Sequence, residues 1–212
     1  MECIRQDQLS ELFQGVADIF AEKMDELCAM DAAMGDGDLG ITMKKGFAAL
    51  PKLISECHEE NNIGKTLMKT GMKMASTVPS TMGTLMASGI MEGGKAVGAA
   101  SVIGPKELCA FLTGFAAGIQ KRGKCNPGDR TVYDAVSEAA KKAEQVYNEN
   151  ISMKDIMEAA VLGAYQGVEA TKNMKPKFGK AAVFSDKAIG VADQGAVAGK
   201  YLMEGLLRFF NK

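Results

Sequence analysis

The chain has 212 residues, 47% of them apolar and 24% charged, long enough to bury roughly 70% of its unfolded surface without disulfide staples. Its 25 basic and 26 acidic side chains leave a formal charge of −1, so no whole-molecule field attracts nucleic acid or an anionic membrane. The one histidine, His58, excludes multi-histidine metal sites and leaves carboxylates as the main chemical resource.

In chain order, Leu9, Leu12, Phe13, Val16, Ile19, Phe20 and Leu27 recur at helical steps and predict a first helix. Met30 to Gly40 follows, with Asp31, Asp36 and Asp38 set among Gly35, Gly37 and Gly40. Three carboxylates confined this closely repel one another unless cations sit between them. The flanking glycines let Asp36 and Asp38 point to one side of a turn while Asp31 approaches from the preceding helix. Hard oxygen donors of this kind suit Mg²⁺, which completes its octahedron with water and phosphate oxygens. Turn punctuation by acids and glycines is the plainer reading of the same segment. An EF-hand starting at Asp36 would want an acid at Gly40 and a glutamate at Phe47, and neither is there.

Asn62-Ile63-Gly64-Lys65-Thr66 ends like a phosphate loop, but the motif's first glycine would fall at Glu59, so the segment reads as a helix start. Ser76 to Thr84 offers hydroxyls and amides ahead of a small-residue helix, either a cap-rich loop or a phosphate cradle. Gly104-Pro105 opens the stripe Leu108, Phe111, Leu112, Phe115 and Ile119. Gly123 to Thr131 is a turn in which Asp129 can cap the helix carrying Val132, Val136, Ala139, Ala140 and Ala143. Ser152 and Asp155 start the stripe Ile156, Met157, Ala160, Val161, Ala164 and Val168. Lys177 to Gly195 resists helical reading, as a lid or an ordinary loop, and Val197, Tyr201, Leu202, Leu206, Phe209 and Phe210 mark the last helix.

Strand-like alternation is nearly absent, and the five prolines are expected where one helical pattern gives way to another. The fold class is therefore all-α, one domain over residues 1–212, with 15 methionines read as filling for irregular gaps. Five widely spaced cysteines, without a C-x-x-C pair, read as reduced thiols. With no secretory pattern at Met1 and a longest charge-free run, Met74 to Met91, interrupted by Pro79, the expectation is a cytoplasmic protein with no membrane or nucleic-acid partner.

Taken together and in order, these segments resemble the nucleotide-binding L subunit of the dihydroxyacetone kinases over nearly the whole chain. The likeness is carried by the acidic loop D-x-x-x-G-D-x-D-x-G with Met43 and Gly46-Phe47, Thr70-Gly71-Met72, Pro127 to Thr131 with Asp134, Gly179-Lys180-Ala181, and Asp193-Gln194-Gly195. The resemblance implies a barrel of about eight antiparallel helices, with a nucleotide site at one end holding ADP or ATP and two Mg²⁺ ions. It makes Asp31, Asp36 and Asp38 the metal ligands and, through the metals they fix, catalytic residues. It lines the phosphates with Leu39, Gly40, Ile41 and Thr42, sets Thr81 and Met82 near them, and flanks the base or ribose with Gly123 and Val132. Lys180, Asp193 and Gly195 close the site, with Lys180 assisting transfer.

The resemblance further implies a kinase that acts on a small ketose held by a separate K-type subunit, which supplies the acid and base. The phosphoryl donor is either ATP or a phosphotransferase-system protein that recharges a retained ADP, and self-association is left open. His58, in a polar stretch, reads as a solvated surface residue. Departures from the family pattern are Leu39 where histidine is common, Pro79 to Gly83 in place of a glycine-rich loop, Lys180 for arginine, and Gln194 for proline. They motivate an alternative from another class, a non-catalytic Mg-ADP sensor that docks a regulatory protein.

Overall fold

The apolar stripes form helices where short polar side chains satisfy their first backbone N–H groups. The computed structural model describes residues 3–184 and 188–212, leaving the side chains of Lys180 and Phe184 outside the description. Among the described residues there are nine α-helices: α1 (Leu9–Glu22), α2 (Met24–Ala32), α3 (Leu39–Glu56), α4 (Ile63–Thr77), α5 (Thr81–Val97), α6 (Pro105–Gly123), α7 (Val132–Val146), α8 (Met153–Thr171) and α9 (Gln194–Arg208). Asn62 Oδ1 accepts from the Lys65 N–H at 2.9 Å, Ser80 Oγ from Gly83 at 3.0 Å, Ser152 Oγ from Asp155 at 3.1 Å and Asp193 Oδ2 from Ala196 at 2.8 Å. Pro105 occupies the first turn of α6, where its missing N–H costs nothing.

Eight of the helices close a ring. α1 packs on α3, each helix from α3 to α9 packs on the next, and α9 returns to α1. Contacts between the α1–α2 segment and the C-terminal segment run in opposite chain directions, as Glu11 with Lys212, Glu22 with Arg208 and Glu26 with Tyr201. The ring is thus antiparallel, as expected. Its interior is a filled core: Phe20 stacks on Phe47 at 4.6 Å, and Phe13 meets Phe111 edge-on. The space left between Leu9, Phe13, Leu67, Phe111 and Met157 is about 10 Å³, too small for anything beyond a single water.

Three features depart from the sequence expectation. The first stripe is two helices, because the backbone breaks at Lys23 (φ −99°, ψ 9°) and sends α2 outside the ring onto α3 and α9. Pro51 lies inside α3 instead of at a boundary. The helix continues through the lost N–H because Phe47, Leu50 and Ile54 on either side are buried. Asp129 does not cap α7; Thr131 does, and Asp134 reaches back to the Thr131 N–H at 2.7 Å.

Sheet among the described residues is one antiparallel pair, β1 (Ile4–Arg5) with β2 (Val102–Ile103), Ile4 opposite Ile103. No described helix is long and apolar enough to cross a membrane. Because neighbouring ring helices alternate in direction, α3, α5, α7 and α9 all begin at one end of the ring, where α2 also ends. Four helix N-termini bring partial positive charge to that end.

Candidate functional site

At this end the chain gathers its acids. Asp31 sits in the last turn of α2 and is buried, with Oδ2 accepting from the backbone N–H groups of Asp38 (3.1 Å) and Leu39 (3.4 Å) at the start of α3. Asp36 and Asp38 are exposed. One oxygen from each of the three carboxylates lies within 4.8 Å of the other two. Two glycines permit this closeness. A Cβ on Gly35 would stand 2.4 Å from Asp31 Oδ1, and one on Gly40 would stand 1.9 Å from the Met24 carbonyl and 2.8 Å from Cys28 Sγ. Any larger residue at Gly40 would push α2, and Asp31 with it, off the start of α3. Three anionic oxygens at this separation, in a concave mouth, match a hard divalent cation better than they match one another.

Beside the acids lies a cleft of about 340 Å³, lined from the expected residues by Asp31, Asp36, Asp38, Leu39, Thr42, Thr81, Met82, Val132, Asp193 and Gly195. It continues into a groove of about 940 Å³ that shares Thr81 and Val132 and adds Gly123 and Cys125. Gly40 and Ile41 are not among the lining residues of either. Gly40 faces Met24, and Ile41 is 57% exposed on the outside. Successive helical residues are about 100° apart, so Leu39 and Thr42, three apart, share the face that the two between them leave. Lys180 opens a 3₁₀ turn, Lys180–Phe184, beside Gly179 at the cleft; its side chain, the expected cationic group, lies outside the described residues. His58 is exposed at the opposite end of the ring, where its Nδ1 lies 3.3 Å from Gln6 Nε2.

The far wall is tied down by buried polar groups. Asp193 N–H donates to Thr171 Oγ1 at 2.9 Å, and its carboxylate caps α9. Burial pushes the Asp193 carboxyl up to about 6, against the pull of the Ala196 N–H and the Arg130 guanidinium. Asp129 Oδ2 closes its turn by accepting from the Asn126 N–H at 2.8 Å, and its carboxyl is held below the ordinary range by Lys177 and that N–H.

Arg130 is a residue to which the sequence reading gave no role. It adopts a left-handed backbone (φ 58°), is 2% exposed, and donates from Nε to the Thr171 carbonyl at 3.3 Å and from Nη2 to those of Ala188 (3.2 Å) and Val191 (3.0 Å). Left-handed geometry costs a side-chain-bearing residue about 1–2 kcal/mol, and those three carbonyls hold it there. Its Nη1 is buried with no partner among the described residues, in a residue that lines the cleft. Gln194, read from the sequence only as a departure from the family's proline, is the second: Nε2 donates to Asp31 Oδ1 at 3.2 Å, and Oε1 is buried with no partner among the described residues. No local pattern announces either one, since their partners lie 41 to 163 residues away.

Residues 33–208 match the family model of the DAK2 domain. The chain is 29% identical over 189 residues to the ADP-binding subunit DhaL of the PEP-dependent dihydroxyacetone kinase of Escherichia coli, covering 89% of this chain and 90% of that one. It is 30% identical over 193 residues to the ADP-binding subunit DhaL of PEP-dependent dihydroxyacetone kinase 1 of Listeria innocua, covering 89% and 91%. Among solved structures, it superposes with a TM-score of 0.71 and 23% identity on the dihydroxyacetone kinase from C. freundii in complex with AMP-PNP and Mg²⁺. That match covers 94% of this chain but only 33% of the kinase, so the likeness is to about a third of a longer protein.

Proposed function

The chain belongs to the DAK2-domain family, and from that membership and the acid cluster we propose that it is the nucleotide-binding, Mg²⁺-dependent half of a small-ketose kinase. The observation that carries this reading is the approach of Asp31, Asp36 and Asp38 to within 4.8 Å of one another at the mouth of a cleft where four helices begin. The donor set fits: oxygen ligands only, a cleft with room for a phosphate chain, and buried polar atoms on Arg130 and Gln194 with no partner among the described residues.

On this reading the three aspartates hold two Mg²⁺ ions. The helix starts at Leu39, Thr81 and Val132 present backbone N–H groups to the phosphates of ADP or ATP. The groove past Thr81 and Val132, with Gly123 in its wall, takes ribose and base. Bound Mg²⁺ neutralises charge on the terminal phosphate oxygens as the phosphoryl group moves. Leu39 and Met82 keep an apolar patch against the reacting end and exclude water. Asp193, Gly195 and the loop through Lys180 close the wall. Within the cleft no histidine stands ready to move a proton, so the acid and base, along with the ketose, belong to a K-type subunit.

The test is reconstitution. The purified chain, a K-type subunit, dihydroxyacetone or a four-carbon ketose and Mg²⁺ are supplied with ATP in one arm and with a phosphoenolpyruvate-driven phosphotransferase system in the other. Sugar phosphate in either arm is the expected result and names the donor. Mg-ADP binding and complex formation without sugar phosphate in both arms would overturn the kinase reading in favour of a nucleotide sensor.

A further inference from the structure

The Asp31 carboxylate is held from two directions. Oδ2 takes the N–H groups of Asp38 and Leu39, which belong to its own loop, whereas Oδ1 takes the Gln194 amide from the opposite wall of the cleft, 163 residues along the chain. The amide's orientation follows from charge: reversed, it would set its oxygen against a carboxylate oxygen, acceptor to acceptor. Fixed this way round, Gln194 has its Oε1 buried, with no partner among the described residues, in a residue that lines the cleft beside the acids.

A buried acceptor selects what can satisfy it. Phosphate oxygens offer no proton at neutral pH and a bare cation prefers carboxylate, but the waters that Mg²⁺ retains in its octahedron donate strongly. We propose that Gln194 is a positioning residue of the acid cluster: its Nε2 orients Asp31 for the cation, and its Oε1 accepts from a water in the cation's coordination shell. This rests on the reading of the cluster as a Mg-nucleotide site. The same side chain ties the first turn of α9 to the metal loop, so cation binding and closure of that wall reinforce one another.

The experiment uses the whole chain with saturating ADP, titrated with Mn²⁺ and followed by the electron paramagnetic resonance signal of the free ion. Gln194→Met keeps the length and loses both polar atoms. Its Mn²⁺ dissociation constant is expected to rise about 10- to 100-fold, the range for outer-sphere partners of metal ligands, with the melting temperature of the metal-free protein unchanged. An unchanged Mn²⁺ affinity overturns the proposal. Should that variant fail to fold, Gln194→Glu keeps the acceptor and sets an anion against Asp31. The rise in melting temperature on adding Mn²⁺ should then exceed that of the wild type, and an equal rise overturns the proposal. If the wild type takes up no Mn²⁺ in the presence of ADP, the reading of the acid cluster falls and this one with it. If the wild type and Gln194→Met bind alike, only the role of Gln194 falls.

Discussion

The two ends of the ring are built from the same helices and differ little in backbone electrostatics. Four helices begin at the acid end, α3, α5, α7 and α9, and four at the other, α1, α4, α6 and α8. Helix dipoles therefore cannot by themselves explain why, among the described residues, the three carboxylates gather at one end and not at the other. The acids are handled differently. At the far end Glu59 lies between Lys65 and Lys69, and Glu56 reaches Lys73, in exposed pairs of the kind that contribute little. At the site end three aspartates lie against one another. The connections differ too: α4 follows α3 after six residues, whereas the path from α8 to α9 runs from Lys172 to Asp193 and is pinned by a buried arginine. The lesson is that the ring supplies two equivalent anion-favouring platforms, and side chains in the connections turn one of them into a site.

The sharpest way to break that contrast is at the acids. Asp36→Ala leaves the core untouched because Asp36 is exposed. It should weaken Mg²⁺-dependent ADP binding by at least about a hundredfold, since losing a ligand exceeds the loss of an outer-sphere partner, while Glu59→Ala at the far end leaves binding unaltered. Isothermal titration with and without Mg²⁺ measures both, and similar losses in the two variants would remove the distinction between the ends.

Asp193 gives the next largest effect, and its sign runs against the usual one for a carboxylate. Its folded value of about 6 stands above the ordinary 3.8, so the folded state holds the proton to higher pH than the unfolded chain. Its contribution to stability therefore falls as pH rises from about 4 to about 6 and is level beyond, a difference of about 3 kcal/mol. Asp193→Asn keeps an oxygen to cap α9 and carries no charge. Urea unfolding from pH 4 to 7 should show the variant gaining on the wild type across that window. A gap that stays constant with pH would mean that burial does not hold the Asp193 proton to higher pH.

Gly40→Ala tests the loop geometry. Its Cβ would meet the Met24 carbonyl, so overpacking should cost about 2 kcal/mol, read as a lowered melting temperature together with weaker Mg²⁺ binding. That glycine also marks how far the sequence could be read. The acid loop stood out in the sequence by its density of Asp and Gly, although turn punctuation alone uses the same residues, and the caps at Asn62, Ser80 and Ser152 were legible because capping is local. The break at Lys23 was not, because the apolar spacing runs on through it without Gly or Pro. Nor was the outward turn of Ile41, which depends on where the start of α3 faces. Arg130 and Gln194 stand in the motifs that carry the resemblance, but their contacts became visible only when residues far apart in sequence were brought to one wall.

The smallest effect sharpens the comparison most directly, because it applies the same chemistry at both ends. Ser80 caps α5 at the cleft and Asn62 caps α4 at the far end, each accepting one backbone N–H in the first turn. Replacing either with Ala should cost about 1 kcal/mol of stability, and chemical denaturation should rank them as equals. Nucleotide binding should separate them. Ser80 lines both the cleft and the adjoining groove, so its loss should loosen the N–H groups proposed to meet a phosphate, while Asn62 lines neither. Equal stability losses with unequal ADP affinities would attribute the site to what surrounds the helix starts and not to the starts themselves.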